Sequence, residues 1–346
     1  MREVELPRSK SVVAREAMIA AVRGLQMPDS GESEDGEVII KALSCKEELV
    51  DVRSSGTAAR FAIAFYGSRC GHKIIDGSEQ MRKRPVGAIV EAMRSLGAKI
   101  EYLGAEGHLP VSIEDCANLG DNVEVDASES SQTISALMLI GVKNIIMKGE
   151  VVSEGYIELT RRVMRGDYCD KDWSSAVFWY GRVAVGDEDE VLLRGMKMNS
   201  GQPDENVVEV YKKLGVTSEE TPEGVRIYKK GEKCEMFEMN CGGCIDMVPV
   251  LVASLCRLGV RFRISGVAGL QKKESRRGSV MAREMRKLGY LVEFDGENMR
   301  WNGEKCMIEG EADVEDDHRI AMAIIVAGGI VNDTKCIDKS YKGLVI

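Results

Sequence analysis

The feature that most constrains this chain is a pattern that occurs six times along its 346 residues. Each copy is a Ser or Asp followed by an apolar run with helical spacing. These residues favour the start of a helix because their side-chain oxygens accept hydrogen bonds from the backbone N–H groups there. Repetition on this scale predicts a fold assembled from copies of one supersecondary unit. The copies begin at Ser9, Ser55, Ser130, Ser174, Asp246 and Asp317.

A second kind of helix alternates with the first and ends in Gly, a residue that commonly terminates helices. Its apolar residues recur every three or four positions, which gives each helix one buried stripe. The copies span 89–97, 157–166, 207–215 and 281–289. Short β-patterned segments flank them at 99–102, 144–147, 191–193, 225–228 and 260–264. The sequence therefore predicts an α/β fold in which strands and two helices repeat.

The first and last copies look shorter than the others. Segment 29–36 is acidic and stands where the second helix of the first copy would come, so we expect a solvent-exposed loop there. The last copy has no second helix before the sequence stops at Ile346.

Composition excludes several classes of protein. The chain is 44% apolar and 30% charged, as is typical of a globular protein, and its net charge of −9 argues against a nucleic-acid or membrane-surface binder. Neither a signal peptide nor an apolar run of membrane-spanning length is present, so we expect a cytoplasmic protein with reduced thiols. Cys241 and Cys244 have zinc-like spacing without a second pair, which favours buried or turn thiols over a metal or redox role.

Cations accompany the starts of the repeated helices. Helix N-termini already carry partial positive charge, so cations placed there need an anionic partner. Each Ser or Asp could serve only as a cap, and each basic cluster could be a solvated face. Taken together, these positions favour a ligand that carries phosphates and carboxylates. The residues concerned are Lys10, Arg15, Thr57, Arg60, Gln132 and Arg319, with further clusters at 81–84 and 272–277 and at Lys339.

Two carboxylates, Asp246 and Glu274, stand among these cations. A carboxylate beside Arg and Lys stays ionised and can accept a proton from a substrate hydroxyl. The sequence has no Gly-x-Ser-x-Gly nucleophile, no phosphate-binding Walker loop and no dinucleotide fingerprint after a strand. We therefore expect proton-transfer chemistry on an anionic substrate, with no organic cofactor and no metal.

An ordered set of motifs resembles the 5-enolpyruvylshikimate-3-phosphate synthase family, from about residue 6 to about residue 341. Any one motif is short, but the ordered set is specific. It comprises Leu6-Pro-Arg-Ser-Lys10-Ser, Ser55-Gly-Thr, Arg84-Pro85, Ser130-Ser-Gln132, Asp172-Trp-Ser-Ser, Gly201-Gln202, Lys273-Glu-Ser, Asp317-His-Arg319 and Cys336-Ile-Asp-Lys339.

The resemblance implies a two-domain α/β fold with six βαβαββ units, three around a pseudo-threefold axis in each domain, and an active site in the cleft between domains. One domain would span 9–170 and mainly bind shikimate 3-phosphate. The other would combine 1–8 with 171–346, bind phosphoenolpyruvate and supply the acid and base. The implied reaction transfers the enolpyruvyl group of phosphoenolpyruvate to the 5-hydroxyl of shikimate 3-phosphate and releases phosphate, through a tetrahedral intermediate.

Site residues carry over by motif. Asp246 would take the 5-hydroxyl proton, and Lys10 and Glu274 would serve proton transfer at the enolpyruvyl carbon. Shikimate 3-phosphate would contact Lys10, Ser11, Arg15, Ser130, Ser131, Gln132, Ser153, Tyr156, Asp246 and Lys273. Phosphoenolpyruvate would contact Lys10, Gly56, Thr57, Arg84, Gln132, Arg277, Arg319 and Lys339. The resemblance implies a monomer without nucleic-acid or membrane partners.

The chain departs from the family pattern at several positions. Arg8 and Ser54 replace a usual Gly and Asn, Gly269 stands where Asn is common, and Arg276 replaces the Asp that precedes Arg277. These departures leave open a non-catalytic relative that keeps the anion site as a sensor. The related enolpyruvyl transferase that acts on UDP-N-acetylglucosamine is a further alternative, which the Ser-Lys-Ser, Ser-Ser-Gln and Asp-His-Arg motifs oppose.

Overall fold

The computed structural model describes residues 1–31, 33–69, 71–114, 119–127, 130–149, 154–273, 275–315 and 317–331, with only the backbone of Lys272. The helices are α1 Lys10–Arg23, α2 Glu34–Leu43, α3 Gly56–Gly67, α4 Glu79–Arg82, α5 Gly87–Ser95, α6 Ser131–Leu139, α7 Glu154–Arg165, α8 Trp173–Val185, α9 Val207–Lys212, α10 Val248–Leu258, α11 Arg277–Lys287 and α12 His318–Val326. Short 3-10 turns span Pro203–Asn206, Ile245–Met247 and Ala268–Lys272.

The strands are β1 Arg2–Glu5, β2 Leu49–Asp51, β3 Lys73–Asp76, β4 Lys99–Tyr102, β5 Val111–Glu114, β6 Asn122–Asp126, β7 Asn144–Lys148, β8 Glu190–Arg194, β9 Val216–Thr221, β10 Gly224–Lys229, β11 Met236–Asn240, β12 Arg261–Ser265, β13 Glu293–Phe294 and β14 Met299–Trp301. The chain divides into two compact units, one of Arg8–Asp170 and the other of Met1–Pro7 with Lys171–Ile346.

Three sheets share one strand arrangement, which identifies the repeating unit. Their orders are β2-β3-β5-β4, β1-β8-β10-β9 and β11-β12-β14-β13. In each, the first two strands are parallel and the later pairs are antiparallel. Parallel neighbours need a crossover, and a helix supplies it. Each of these units is therefore a complete βαβαββ unit, although β1 reaches its sheet from the N-terminus of the chain.

The remaining repeats are reduced within the described residues. The fourth sheet has only β6 and β7, which are parallel, and α7 ends this unit without a following pair of strands. The first copy contributes α1 and α2, and the last contributes α12. The expected α/β fold class is confirmed, and among the described residues three of the repeats contain all four strands.

The helices of the first kind form the centre of each unit. In the Arg8–Asp170 unit, α1, α3 and α6 pack against one another. In the other unit, α8, α10 and α12 do the same. These helices are buried over most of their length because apolar side chains cover nearly all of their faces, as α3, α8 and α10 show. Mutual packing of three such helices brings their N-termini into one region of each unit.

The acidic segment 29–36 was expected to be a loop, and this expectation is wrong for residues 34–36, which begin helix α2. Ser33 caps α2 by accepting a hydrogen bond from the N–H of Gly36, so Glu34 and Asp35 form the first helical turn. Acidic residues stabilise that end of a helix through its dipole. The run Val38-Ile-Ile following Glu37 obscured the helix in the sequence, because β-branched residues favour strands.

The predicted helix starts are correct in four copies of six. Ser55, Ser130 and Asp317 accept backbone hydrogen bonds as caps, and Ser9 occupies the capping position without a side-chain bond. In the fourth copy the cap is Asp172, so Ser174 lies within the first turn. In the fifth, Asp246 lies in the 3-10 turn before α10 and caps nothing. No helix among the described residues is long and apolar enough to cross a membrane.

Close helix packing at Gly181 can be tested by mutation. A Cβ atom there would lie 2.9 Å from Cγ1 of Val250 and 3.2 Å from Cγ1 of Val326. Overpacking of a filled core costs about 1–3 kcal/mol, so we expect Gly181→Val to lower the free energy of unfolding by that amount. Urea titration measures it. At Gly87 the nearest atom to a Cβ is 3.8 Å away, and Gly87→Val should change stability much less. Equal effects of the two changes would contradict this packing.

Candidate active site

The described site residues fall into two sets, one in each unit. In the Arg8–Asp170 unit most of them lie in the first turns of α1, α3 and α6, while Tyr156 lies on α7 and Arg84 lies between α4 and α5. In the other unit they lie at the starts of α10, α11 and α12. The first set is Lys10, Ser11, Arg15, Gly56, Thr57, Arg84, Ser130, Ser131, Gln132 and Tyr156, and the second is Asp246, Lys273, Arg277 and Arg319.

Lys10 is the first residue of α1, and its Nζ lies 3.0 Å from Oδ2 of Asp35. Both side chains are about 40% exposed, so solvent screens the pair and the ammonium stays accessible to a ligand. Asp35 belongs to the acidic segment that the sequence analysis assigned to a surface loop. The structure instead makes it the partner of a predicted site lysine.

Arg15 is a buried cation that neutral groups satisfy. Its Nε donates to Oγ1 of Thr160 at 2.8 Å, and its Nη2 donates to the carbonyl of Tyr156 at 2.9 Å. Its Nη1 donates to the carbonyl of Ser11 at 2.7 Å. Burial lowers the pKa of Arg15 to about 10, which leaves it protonated at neutral pH. Arg15 was expected to hold the ligand; in this structure its guanidinium ties α1 to α7 beneath Ser11 and Tyr156.

Gln132 joins two of the predicted motifs. Its amide nitrogen donates to Oγ1 of Thr57 at 2.9 Å, and its amide oxygen accepts from Nη1 of Arg60 at 2.9 Å. Ser130 caps α6 by accepting from the N–H of Gln132, and the adjacent Ser131 is buried. The motifs around Ser55 and Ser130 are therefore brought together through side chains, 72 to 75 residues apart in sequence.

Gly56 allows two guanidinium groups to approach the start of α3. A Cβ atom there would lie 2.7 Å from Nη2 of Arg84 and 2.9 Å from Nη1 of Arg60. Arg60 also donates to the carbonyls of Gly56 and Pro85, and Arg84 donates to the carbonyl of Ser54. Two cations at a helix N-terminus, where backbone N–H groups point outward, form an anion-binding arrangement.

Asp246 is the centre of the second set. Its Oδ1 lies 2.9 Å from Nη1 of Arg277, 3.1 Å from Nζ of Lys273 and 3.8 Å from Nε of Arg319. The side chain keeps 16% of its surface exposed. Three cations around one carboxylate favour its ionised form, and together they leave positive charge available for an anionic ligand.

Asp317 holds Arg277 from the other side. Its Oδ2 accepts from Nε of Arg277 at 2.9 Å and from the hydroxyl of Ser275 at 2.8 Å. Its Oδ1 accepts from the backbone N–H of Arg319 at 3.0 Å while capping α12. The departure at Arg276 therefore does not leave Arg277 without a carboxylate partner.

Asp204 is a buried carboxylate that the sequence analysis did not select. It receives a hydrogen bond from the hydroxyl of Ser174, while its Oδ1 has no hydrogen-bond partner among the described atoms. Burial, followed by the charge of Asp246, raises the pKa of Asp204 to about 6. A buried oxygen left unsatisfied beside a charged cluster is a common property of functional sites. Its only sequence signal was its place two residues after Gln202.

Ser153, Glu274 and Lys339 lie outside the described residues, so their predicted roles stay predictions. Cys241 and Cys244 are buried in the unit that contains Asp246. Across the described part of the chain, no three His, Cys, Asp or Glu side chains are grouped as metal ligands.

Comparison with known proteins connects this geometry to a family. The sequence model of EPSP synthase, 3-phosphoshikimate 1-carboxyvinyltransferase, matches residues 6–166 and 167–345. The chain belongs to the EPSP synthase family. A relative from Bacteroides fragilis named 3-phosphoshikimate 1-carboxyvinyltransferase is 32% identical, over 98% of this chain and 92% of that protein. A relative of the same name from Thermococcus kodakarensis is 28% identical, over 94% and 86%.

A solved structure supports the same fold. EPSP synthase from Acinetobacter baumannii superposes with a TM-score of 0.70 at 21% identity, covering 94% of this chain and 88% of that one. The identity is low, so this likeness bears on the fold alone. Membership of the EPSP synthase family confirms the family resemblance drawn from the ordered motifs, and the comparisons do not favour the two alternatives.

Removing the charge of Asp317 should destabilise the protein. Asp317→Asn removes one carboxylate from Arg277, whose side chain is 1% exposed. Breaking a buried ion pair by removing one partner costs about 3–5 kcal/mol, and we expect the lower end because Asp246 remains. Chemical denaturation measures the loss. The control is Glu293→Gln at the exposed pair with Arg300, which should cost less than about 1 kcal/mol. Similar small losses for both would contradict a stabilising role for the buried pair.

Asp204 should make stability depend on pH. Its pKa is raised in the folded state, so the folded protein must carry a buried negative charge above pH 6, and stability from this group falls as pH rises from 4 to 7. Each pKa unit corresponds to about 1.4 kcal/mol. The free energy of unfolding of Asp204→Asn, relative to the unmodified protein, should therefore rise by up to about 3 kcal/mol over that range.

Denaturant titrations at several pH values measure this difference. The control, Asp189→Asn at an exposed position, should show a difference that does not change with pH. A flat difference for Asp204→Asn as well would show that Asp204 titrates as it would in solvent.

Proposed function

We propose that this chain is a 3-phosphoshikimate 1-carboxyvinyltransferase, and that both sets of site residues act on the same pair of substrates. The enolpyruvyl group of phosphoenolpyruvate is transferred to the 5-hydroxyl of shikimate 3-phosphate, and inorganic phosphate is released. The observation that carries the proposal is Asp246, a carboxylate held among Lys273, Arg277 and Arg319 in a member of this family.

The charges suit these substrates. Each substrate carries one carboxylate and one phosphate group, or roughly three negative charges at neutral pH. Arg84 and Arg60 at the start of α3, with Arg277 and Arg319 in the other unit, can bind the phosphate and carboxylate of phosphoenolpyruvate in charge-assisted hydrogen bonds. We propose that Gln132, whose amide bonds Thr57 and Arg60, lies where both substrates meet.

Shikimate 3-phosphate would bind mainly in the Arg8–Asp170 unit. Ser11, Ser130, Ser131 and Tyr156 supply hydroxyl groups, and Ser153 is proposed from the resemblance alone. Arg15 would act beneath them, because its protein hydrogen bonds fix Ser11 and Tyr156 and its buried charge favours an anion above. Arg15 is therefore proposed as a positioning residue.

Asp246 would remove the proton of the 5-hydroxyl as the oxygen attacks C2 of phosphoenolpyruvate. Lys10 and Glu274 would deliver the proton to C3, and elimination of phosphate from the tetrahedral intermediate would complete the transfer. In the absence of substrate, the cations on Asp246 compete with its role as a base. Anionic groups of the substrates can take over those cations, which would leave Asp246 available to the hydroxyl.

The first test is release of phosphate by the purified protein. It should require both shikimate 3-phosphate and phosphoenolpyruvate, and the organic product should be the enolpyruvyl ether by mass spectrometry. Binding of shikimate 3-phosphate by calorimetry without phosphate release would overturn the enzymatic proposal. We further propose, on the family resemblance, a monomer that works in the cytoplasm; light scattering in solution measures the mass of the particle.

Asp246→Asn should reduce kcat by about 10²–10⁴-fold, the usual contribution of one general base. Asn keeps the shape of the side chain but removes both the proton acceptor and one negative charge from the cluster. Because the three cations remain, the KM for phosphoenolpyruvate should change much less than kcat. Steady-state phosphate release measures both constants. Asp189→Asn, at an exposed position of the same unit, is the control and should leave both unchanged. An Asp246→Asn variant with full kcat would rule out Asp246 as the base.

A further inference from the structure

Cys241 and Cys244 face each other across a tight turn. The N–H of Cys244 donates to the carbonyl of Cys241 at 2.9 Å, which closes a four-residue turn through Gly242 and Gly243. Such a turn keeps its end Cα atoms within about 7 Å, close to the span that a disulfide bridges. The structure holds both residues as thiols, and their side chains hydrogen-bond to each other.

The two thiols are not equivalent. The hydrogen bond from Cys241, assisted by one from Asn206, lowers the pKa of Cys244. The Nδ2 of Asn206 lies 3.7 Å from Sγ of Cys244. The pKa of Cys241 is raised by the same shared hydrogen bond and by burial. Cys244 is also the more exposed of the two and lies next to the Asn206 amide, so we take it as the sulfur that an oxidant reaches first and Cys241 as the thiol that reacts with it afterwards.

This turn leads directly into the turn that carries Asp246. Cys244 immediately precedes the 3-10 turn Ile245–Met247, and its carbonyl accepts from the N–H of Met247 at 3.3 Å. The negative charges of Asp204 and Asp246 both act to raise the pKa of the Cys244 thiol, against the hydrogen bonds that lower it, so this sulfur and Asp246 are electrostatically coupled. Cys244 is 6% exposed and Cys241 is fully buried, so a small oxidant has better access than a protein.

We propose that Cys241 and Cys244 form an oxidisable dithiol site that takes hydroperoxides and whose oxidation switches off turnover at Asp246. The thiolate of Cys244 attacks the O–O bond of hydrogen peroxide, becomes a sulfenic acid and releases hydroxide. The thiol of Cys241 then attacks that sulfur, forming the S–S bond and releasing water. The hydroxide takes up the proton lost earlier by Cys244, so two thiols and one peroxide give one disulfide and two waters.

The effect on catalysis follows from the position of the turn, and this part rests on the proposed function. Bond formation fixes the two sulfurs about 2.05 Å apart, so the Cys244 side chain, which Asn206 contacts in the reduced protein, must adjust. Asp246 lies two residues further on, with its oxygen 2.9 to 3.1 Å from two cations. Misplacement of a reacting group by about 1 Å can cost on the order of 10²-fold in rate. We expect at least a tenfold loss of kcat, reversed by dithiothreitol.

The test uses the full-length reduced protein with graded hydrogen peroxide, after which remaining thiols are alkylated. Peptide mass spectrometry should identify a Cys241–Cys244 peptide lacking two hydrogens. Its yield should match the loss of phosphate release across the titration, and dithiothreitol should reverse both. The double variant Cys241→Ser, Cys244→Ser should resist inactivation. The matched control, Cys306→Ser, removes a more exposed thiol of the same unit and should be inactivated like the unmodified protein.

Three results would overturn the proposal. Peroxide could oxidise other thiols while no Cys241–Cys244 disulfide forms, turnover could persist at full disulfide yield, or the double variant could lose activity as fast as the unmodified protein. Disulfide mapping needs no turnover. If the reduced protein releases no phosphate at all, the proposed function fails, whereas the mapped yield still decides whether these thiols form the dithiol site.

Discussion

The contacts of Arg277 with Asp246 and Asp317 are the interaction on which the Met1–Pro7 and Lys171–Ile346 unit depends. A guanidinium with a side chain 1% exposed is tolerated only when carboxylates and hydrogen bonds replace its water. Asp317 and Asp246 do this from opposite sides, and each belongs to a different helix start. The same contacts therefore fix the starts of α10, α11 and α12 relative to one another. The ion cluster is at once a structural tie and the candidate catalytic centre.

The buried cations of the two units have different kinds of hydrogen-bond partner. In the Met1–Pro7 and Lys171–Ile346 unit, carboxylates neutralise the cations. In the Arg8–Asp170 unit, Arg15 and Arg60 donate to hydroxyls, carbonyls and an amide oxygen. These neutral partners satisfy the hydrogen bonds but leave the charge in place, so this unit favours an incoming anion. In the proposed reaction, Asp246 of the other unit would supply the proton acceptor.

Asp246 has neighbouring groups whose protonation or oxidation state can change. Asp204, buried and protonated below about pH 6, lies near enough for the two carboxylates to influence each other. Asn206, two residues further on, donates to Cys244 in the turn that precedes Asp246. Asp204 and the two thiols therefore both adjoin the 3-10 turn that carries Asp246. Small displacements matter here because the cations contact Asp246 at hydrogen-bond distance, where interaction energies change steeply.

The sequence by itself determined the local features. Capping at Ser55, Ser130 and Asp317, the Gly-terminated helices and the strands could be predicted because they depend on residues within a few positions of one another. The ordered motifs also determined the family, and they supplied the predicted site residues. Local patterns failed where signals conflicted: the β-branched run 38–40 concealed α2, and Asp246 resembled a cap although it lies in a 3-10 turn.

Only the tertiary structure decided which distant side chains hydrogen-bond to each other. Arg277 meets Asp317 across 40 residues, Gln132 meets Thr57 across 75, and Arg15 meets Thr160 across 145. No spacing rule connects such positions, since packing of the central helices brings their ends together. Packing also decided that Arg15 joins α1 to α7 through hydrogen bonds, and that Asp204 is buried. The charge and hydrogen-bonding capacity of each residue follow from its type. Which of these groups are buried together, away from water, depends on the folded chain.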